Sequence, residues 1–188
     1  MPSSPTRGSA ARDRLLQAAS AVFYAEGINT VGVGRLVEEG RVTLATFYRH
    51  FPSKQDLVVA YLEAVHAHIE ATVADLTARL EGAELLRAIG ADIGADLCRP
   101  GFHGCAFIRA AVETSDPESP VARAVLDHRT WYQDVIRDGF AQAGHARPDD
   151  AARRYVMLRD GAMVAGMLGD VATAQRTFAA GLDDLLGS

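Results

Sequence analysis

Between Pro52 and Gly82 the chain contains neither glycine nor proline, and Leu57, Tyr61, Val65, Ile69, Val73, Leu76 and Leu80 recur every three or four residues. That spacing is the period of an amphipathic α-helix. Ser53-Lys54-Gln55-Asp56 reads as a capping box with Asp in place of Glu, which sets the start. The run from Lys54 to Leu80 has 27 residues, a rod of about 40 Å at 1.5 Å per residue. Nothing of strand length elsewhere alternates with period two, so the chain is expected to be all-α.

Glycines and prolines punctuate the remainder. Helices are expected over about 10–26, 31–39, 44–51, 54–80, 84–98, 105–114, 120–143, 149–168 and 171–186, roughly nine in all. Ser9, Thr30, Thr43 and Ser119 are the candidate N-caps, the last followed by proline at N1. Gly27 and Gly144 sit where a left-handed residue ends a helix. Leu15, Leu16, Ala19, Val22 and Phe23 share one face of the first helix. The expected organisation is a flexible arm over 1–9, a head over 10–52 and a body over 53–188.

The chain has 188 residues, 48% of them hydrophobic and 23% charged, enough to build a core. Its longest uncharged stretch, Leu15–Ala25, has 11 residues, short of the roughly 18 that a membrane span needs. Met1–Ser9 is polar and lacks an apolar stretch, so no ordinary secretory signal is expected. Two cysteines make no disulfide scaffold. The expected compartment is the cytoplasm. Net charge is −5, divided as +2 over residues 1–56 and −7 over the rest. A mildly basic head on an acidic body accommodates an anionic partner at one end only.

That head holds the informative stretch, Thr30–Lys54. Two short helices joined by a few residues and backed by a packed first helix make a helix-turn-helix. One of them must project far enough to enter the major groove, which admits a single α-helix. Phe47 and Phe51 are the expected inner anchors, and Thr46, Tyr48, Arg49 and His50 supply polar tips. Lys54 stands in the first turn of the long helix, where backbone N–H groups already favour an anion. Tyr48 and His50 can donate to a phosphate, Arg49 can pair bidentately with guanine, and Leu44 and Ala45 suit thymine methyl groups.

The segment Val42-Thr43-Leu44-Ala45-Thr46-Phe47-Tyr48-Arg49-His50-Phe51-Pro52-Ser53-Lys54 resembles the recognition helix and following helix start of the TetR family of bacterial transcriptional regulators. The likeness extends to Leu15, Ala19, Phe23, Gly27 and Thr30, and Gly104-Cys105-Ala106-Phe107 to Glu113 is similar to a segment of some members. The resemblance implies a repressor, less often an activator, that binds a palindromic operator as a homodimer and is released by an inducer in its C-terminal domain. It places Thr30, Thr43, Tyr48, His50 and Lys54 against phosphates, and Leu44, Ala45, Thr46 and Arg49 at the groove. One position departs from the pattern: the family usually has glycine where Arg41 stands, one residue after Gly40. Either the turn is shifted by one residue, or Arg41 accepts a left-handed backbone and its side chain reaches a phosphate.

Outside the head, Phe102, Phe107, Arg109, His128, Trp131, Tyr132, Met163 and Met167 are candidates for lining a pocket for a small, partly apolar effector. Arg109 can pair with an acidic ligand or with Glu113, its i+4 neighbour. Gly161, Ala162, Val164, Ala165, Phe178, Leu182 and Leu185 suggest that the last two helices pair with those of a second copy in a four-helix bundle. Cys98, His103 and Cys105 leave open a redox- or metal-sensing regulator, although a closed zinc site lacks its fourth ligand nearby. His66 and His68, two apart, point to different faces of a helix. A further alternative is a helical adaptor that binds protein. No nucleophile–base pair or phosphate loop stands out, so no enzyme and no cofactor are expected. The long helix is the expected lever between head and body. The expected partners are duplex DNA, a second copy and a small effector, with no membrane.

Overall fold

A computed structural model of the chain describes residues 7–187, with side chains from Ala10 onward. The described residues form nine helices and no strand: α1 (Arg7–Glu26), α2 (Val33–Glu39), α3 (Leu44–His50), α4 (Lys54–Thr77), α5 (Gly82–Leu97), α6 (Ala106–Glu113), α7 (Pro120–Gln142), α8 (Pro148–Met167) and α9 (Val171–Leu186). The all-α expectation holds, and most boundaries fall within a residue or two.

The differences have local causes. α1 begins at Arg7, so Ser9 lies inside the helix and not at its cap, and the last three residues of the expected arm are helical. Residues 1–6 of that arm lie outside the described residues. α2 begins at Val33 with Gly32 in the cap position and no side-chain hydrogen bond there. Thr30 falls in the preceding turn, and Val31, 1% exposed, is buried before the helix starts. α4 stops at Thr77, three residues early, where the Thr77 hydroxyl donates to the Ala74 carbonyl at 3.0 Å. Such a side-chain bond competes with helix continuation.

Several caps form as expected. Ser53 N donates to Asp56 Oδ2 at 2.8 Å and Asp56 N to Ser53 Oγ at 3.2 Å, closing the capping box of α4. Ala122 N donates to Ser119 Oγ at 3.1 Å at the start of α7. Gly27 takes φ +94° after α1. α4 is long enough, and at a mean hydropathy of 1.2 apolar enough, to pass a length-and-composition test for a membrane span. It nevertheless buries Leu57, Val58, Tyr61, Leu62 and Val73 in protein and carries exposed Glu63 and Glu70.

The chain divides into two compact units. The first takes the chain through Val65 together with Arg109–Val125, and the second takes His66–Ile108 and the chain from Leu126. The expected boundary near Pro52 therefore falls inside the first unit. Leu15, Phe23, Leu36, Phe47 and Leu57, each 2% exposed or less, form the first unit's core, with the Phe23 and Tyr61 rings edge-on at 5.8 Å. In the second unit α8 and α9 pair closely, α5 lies against both, and Leu86, Ile136, Phe140 and Tyr155 are wholly buried.

Candidate nucleic-acid interface

The turn between α2 and α3 is built by four residues with separate tasks. Val42 N donates to the Val37 carbonyl at 3.0 Å and Arg41 N to the Glu38 carbonyl at 3.1 Å. These are the two bonds of a Schellman helix end, which needs a left-handed residue at its penultimate position. Arg41 supplies it, at φ +50°, while Gly40 remains right-handed at φ −73°. The turn is not shifted. Gly40 is closely packed: a Cβ there would stand 3.1 Å from the Leu36 carbonyl oxygen and 3.3 Å from Leu15 Cδ2, so its neighbours would have to give by a few tenths of an ångström. Arg14 of α1 donates to the Gly40 carbonyl at 3.3 Å and holds the turn from below.

Thr43 then caps α3, its hydroxyl accepting from Thr46 N at 3.2 Å. The two threonine hydroxyls lie 2.9 Å apart. Phe47 and Phe51 face inward at 0% and 3% exposure, and the Arg12 guanidinium lies 5.3 Å from the Phe51 ring centre. The other edge is free. Leu44 and Tyr48 are half exposed, Arg41, Thr43, Ala45 and Arg49 are exposed, and Thr30 is exposed in its turn. The Tyr48 ring stands edge-on to Phe47 at 5.2 Å. Thr46 and His50 are half-buried. His50 Nε2 is sealed from solvent without a partner.

Lys54, half-buried, opens α4. Partial desolvation lowers its pKa and Glu113 opposes that shift. Glu113 and Arg109, on the far end of α6, grip the end of α1. Arg109 Nη1 donates to the Tyr24 carbonyl. Asn29 N donates to Glu113 Oε2 at 2.6 Å and Asn29 Nδ2 to the Glu113 carbonyl at 2.8 Å.

The family model for bacterial regulatory proteins of the TetR type matches residues 15–61, which are this head and the start of α4. A TetR-family transcriptional regulator from Streptomyces coelicolor is 44% identical, with 95% of each chain covered and a TM-score of 0.91. A TetR-type regulator from Streptomyces avermitilis is 26% identical, covering 93% of this chain and 97% of its own, with a TM-score of 0.82. The HTH-type transcriptional regulator LmrA of Bacillus subtilis is 22% identical over 180 residues, 93% of this chain and 96% of its own. The chain belongs to the TetR family. It is a transcriptional regulator with a helix-turn-helix DNA-binding head.

In the second unit this TetR-family regulator gathers four of the expected pocket residues. Phe107 stacks on His128 at 3.6 Å, and Trp131 and Tyr132 lie 5.6 and 6.2 Å from the same imidazole. The cluster includes residues that sequence reasoning missed. His66 Nδ1 is 3.0 Å from His128 Nδ1, and Tyr155 packs 6.4 Å from Tyr132. Burial, then Arg159 and His66, push the His128 pKa down to about 3, so its imidazole is neutral at physiological pH. Met163 is buried and Met167 is 47% exposed. Phe102 is half-buried on the Gly166 side of α8. Arg109 belongs to the first unit.

Cys98, His103 and Cys105 do not come together as ligands. Cys98 is exposed, with Gln175 Nε2 donating to its sulfur at 3.1 Å, and Cys105 is buried against Arg159. Among the described residues no group of three or more His, Cys, Asp or Glu could hold a metal ion. Of the expected dimer residues, Gly161, Ala162, Ala165, Phe178 and Leu185 line one α8–α9 groove, and they differ in burial. Ala162, Phe178, Leu182 and Leu185 are buried within their own subunit, whereas Gly161 and Val164 are exposed and Ala165 is intermediate. The groove has a volume of about 680 Å³.

Proposed function

We propose that the protein is a homodimeric repressor that binds a palindromic operator and leaves it when a small molecule enters the second unit. The observation that carries this reading is α3, a helix fixed by Phe47 and Phe51 whose opposite edge, Leu44, Ala45, Tyr48 and Arg49, stands in solvent. Such a helix fits the major groove of B-DNA. In this reading Thr30, Arg41, Thr43, Tyr48, His50 and Lys54 meet phosphates. Leu44, Ala45, Thr46 and Arg49 meet base edges. Two heads related by a two-fold axis read half-sites about 34 Å apart.

Release follows from two connections. α4 runs without a break from the first unit into the second, so a shift at its far end carries to Lys54. α6 likewise starts in the second unit, and its last turns hold the α1 end through Arg109 and Glu113. An effector that turns α6 or tilts α4 would change the spacing of the two recognition helices and so favour the unbound state.

The test is selection of random duplex DNA by the purified protein, followed by anisotropy titration at several salt concentrations. A palindrome bound with a steep salt slope is expected, because phosphate contacts release counterions. Tyr48→Phe and Lys54→Ala each weaken binding about five- to tenfold on every sequence alike, with unchanged thermal stability. Unchanged affinity in both variants, or no enriched palindrome, defeats the reading. In cells, removing the protein raises transcription from a promoter carrying the selected site; a fall would assign activation instead.

A further inference from the structure

The buried face of α8 includes Ala152, Tyr155, Val156, Ala162, Met163 and Gly166, and Arg159 falls within that stripe. Its side chain is 11% exposed. Nη1 donates to Asp160 Oδ1 at 3.0 Å. Among the described residues Nη2 meets only the Cys105 sulfur, at 3.3 Å, a weak acceptor. Nε is sealed from solvent and has no acceptor. The Nε–Nη2 edge of a guanidinium is the fork that normally takes both oxygens of a carboxylate. Here it holds one thiol.

Charge points the same way. Asp160 Oδ2 also accepts from Arg129 Nη1 at 2.7 Å, so one carboxylate serves two guanidiniums. A guanidinium does not shed its proton, and a buried charge without full compensation is costly. Around it lie rings: Tyr132, whose centre is 5.5 Å from the guanidinium carbon, and Tyr155, whose hydroxyl is 3.5 Å from that of Tyr132.

We propose that Arg159 anchors the acid group of the effector, a small carboxylic acid with an aromatic body, which takes the Nε–Nη2 fork in place of the Cys105 sulfur. The proposal rests on the effector-responsive reading above and names the effector's chemical class. Cys105 yields by rotation about a single bond. The acid supplies the missing negative charge, and the tyrosine rings flank its body.

Trp131, the only tryptophan, lies 6.2 Å from Tyr132 and reports on the site by fluorescence. The full-length protein is titrated with sodium benzoate and sodium phenylacetate, and with benzamide and phenylacetamide as uncharged isosteres, at constant ionic strength. Saturable quenching or enhancement by an acid, at least about tenfold tighter than by its amide, is the expected result. Arg159→Met loses that response while its melting temperature holds or rises, because an apolar chain relieves a buried unpaired charge. Arg159→Lys retains charge without the fork and binds with intermediate affinity, and Cys105→Ser binds like the wild type.

Equal binding of acids and amides, unaffected in Arg159→Met and Arg159→Lys, overturns the anionic class and leaves the effector reading standing. A large fall in melting temperature of Arg159→Met with the acid response intact makes Arg159 structural and overturns the proposal. Absence of any response to either acid at about 10 mM also overturns it, while operator binding, measured separately, still judges the regulatory reading.

Discussion

At Gly40 and Arg41, adjacent residues have divided a task that one glycine usually performs. Gly40 fits against Leu15 and the Leu36 carbonyl, and Arg41 takes the left-handed backbone at φ +50°. A left-handed arginine costs of order 1 kcal/mol relative to glycine. In the proposed reading a phosphate contact made by the Arg41 side chain offsets that cost. Arg41→Gly is therefore expected to raise stability by about 1 kcal/mol in urea denaturation and to weaken operator binding. The salt slope should fall by about one phosphate contact per protomer. If stability rises with affinity unchanged, Arg41 makes no phosphate contact. The need for a left-handed residue was legible in the sequence, from the family pattern, but its placement was not. Whether Gly40 or Arg41 takes the turn depends on how closely α1 packs beneath it.

The helices themselves were readable because capping and apolar periodicity are local. Thr43, Ser53 with Asp56, and Ser119 all cap where their spacing predicts. What failed to show were contacts set by tertiary packing. His66 on α4 meets His128 on α7, and Arg159 on α8 meets Cys105 just before α6, pairs separated by 62 and 54 residues. A signal for Arg159 did exist, since a charged residue four after Tyr155 and three before Ala162 interrupts an apolar stripe. The packing of α7 against α4 and α6 also makes a prediction. His128 has a folded pKa near 3 against an ordinary 6.5, so the unfolded chain binds its proton first. Stability is then complete above pH 6.5 and falls as pH drops from there toward 3, at about 1 kcal/mol per unit. His128→Phe keeps a ring stacked on Phe107 and removes the titration. Urea midpoints at pH 7 and pH 4.5 should differ less in the variant; an identical difference in both proteins would assign the acid sensitivity to other groups.

At the scale of the whole molecule the proposed function requires two heads held to one operator. Met157, Gly161, Val164 and Leu168 follow one another along the exposed edge of α8, the three large residues 72%, 42% and 78% exposed. The groove beside them is floored by Ala162, Ala174, Phe178 and Leu185, with Arg154, Asp170 and Asp184 also at its walls. An apolar floor with both charge signs on its walls suits an isologous contact, in which each surface meets its own copy about a two-fold axis. Small residues such as Gly161 and Ala165 allow the helices of a four-helix bundle to approach closely. The sequence pointed to these two helices without dividing their faces, because α8 is apolar on two sides and only the fold decides which side α9 covers. Val164→Glu places a carboxylate on the uncovered side without disturbing the covered one. Sedimentation equilibrium at micromolar concentration is expected to give a dimer for the wild type and a monomer for the variant, with the same far-ultraviolet circular dichroism. Operator affinity should then fall by about a hundredfold or more, since the second half-site is no longer bound at the high effective concentration that tethering provides. Binding to an isolated half-site should be unchanged, because the head lies in the other unit. A variant that stays dimeric would move the interface off this groove, and one that becomes monomeric yet binds the full palindrome as before would show that pairing plays no part in operator recognition.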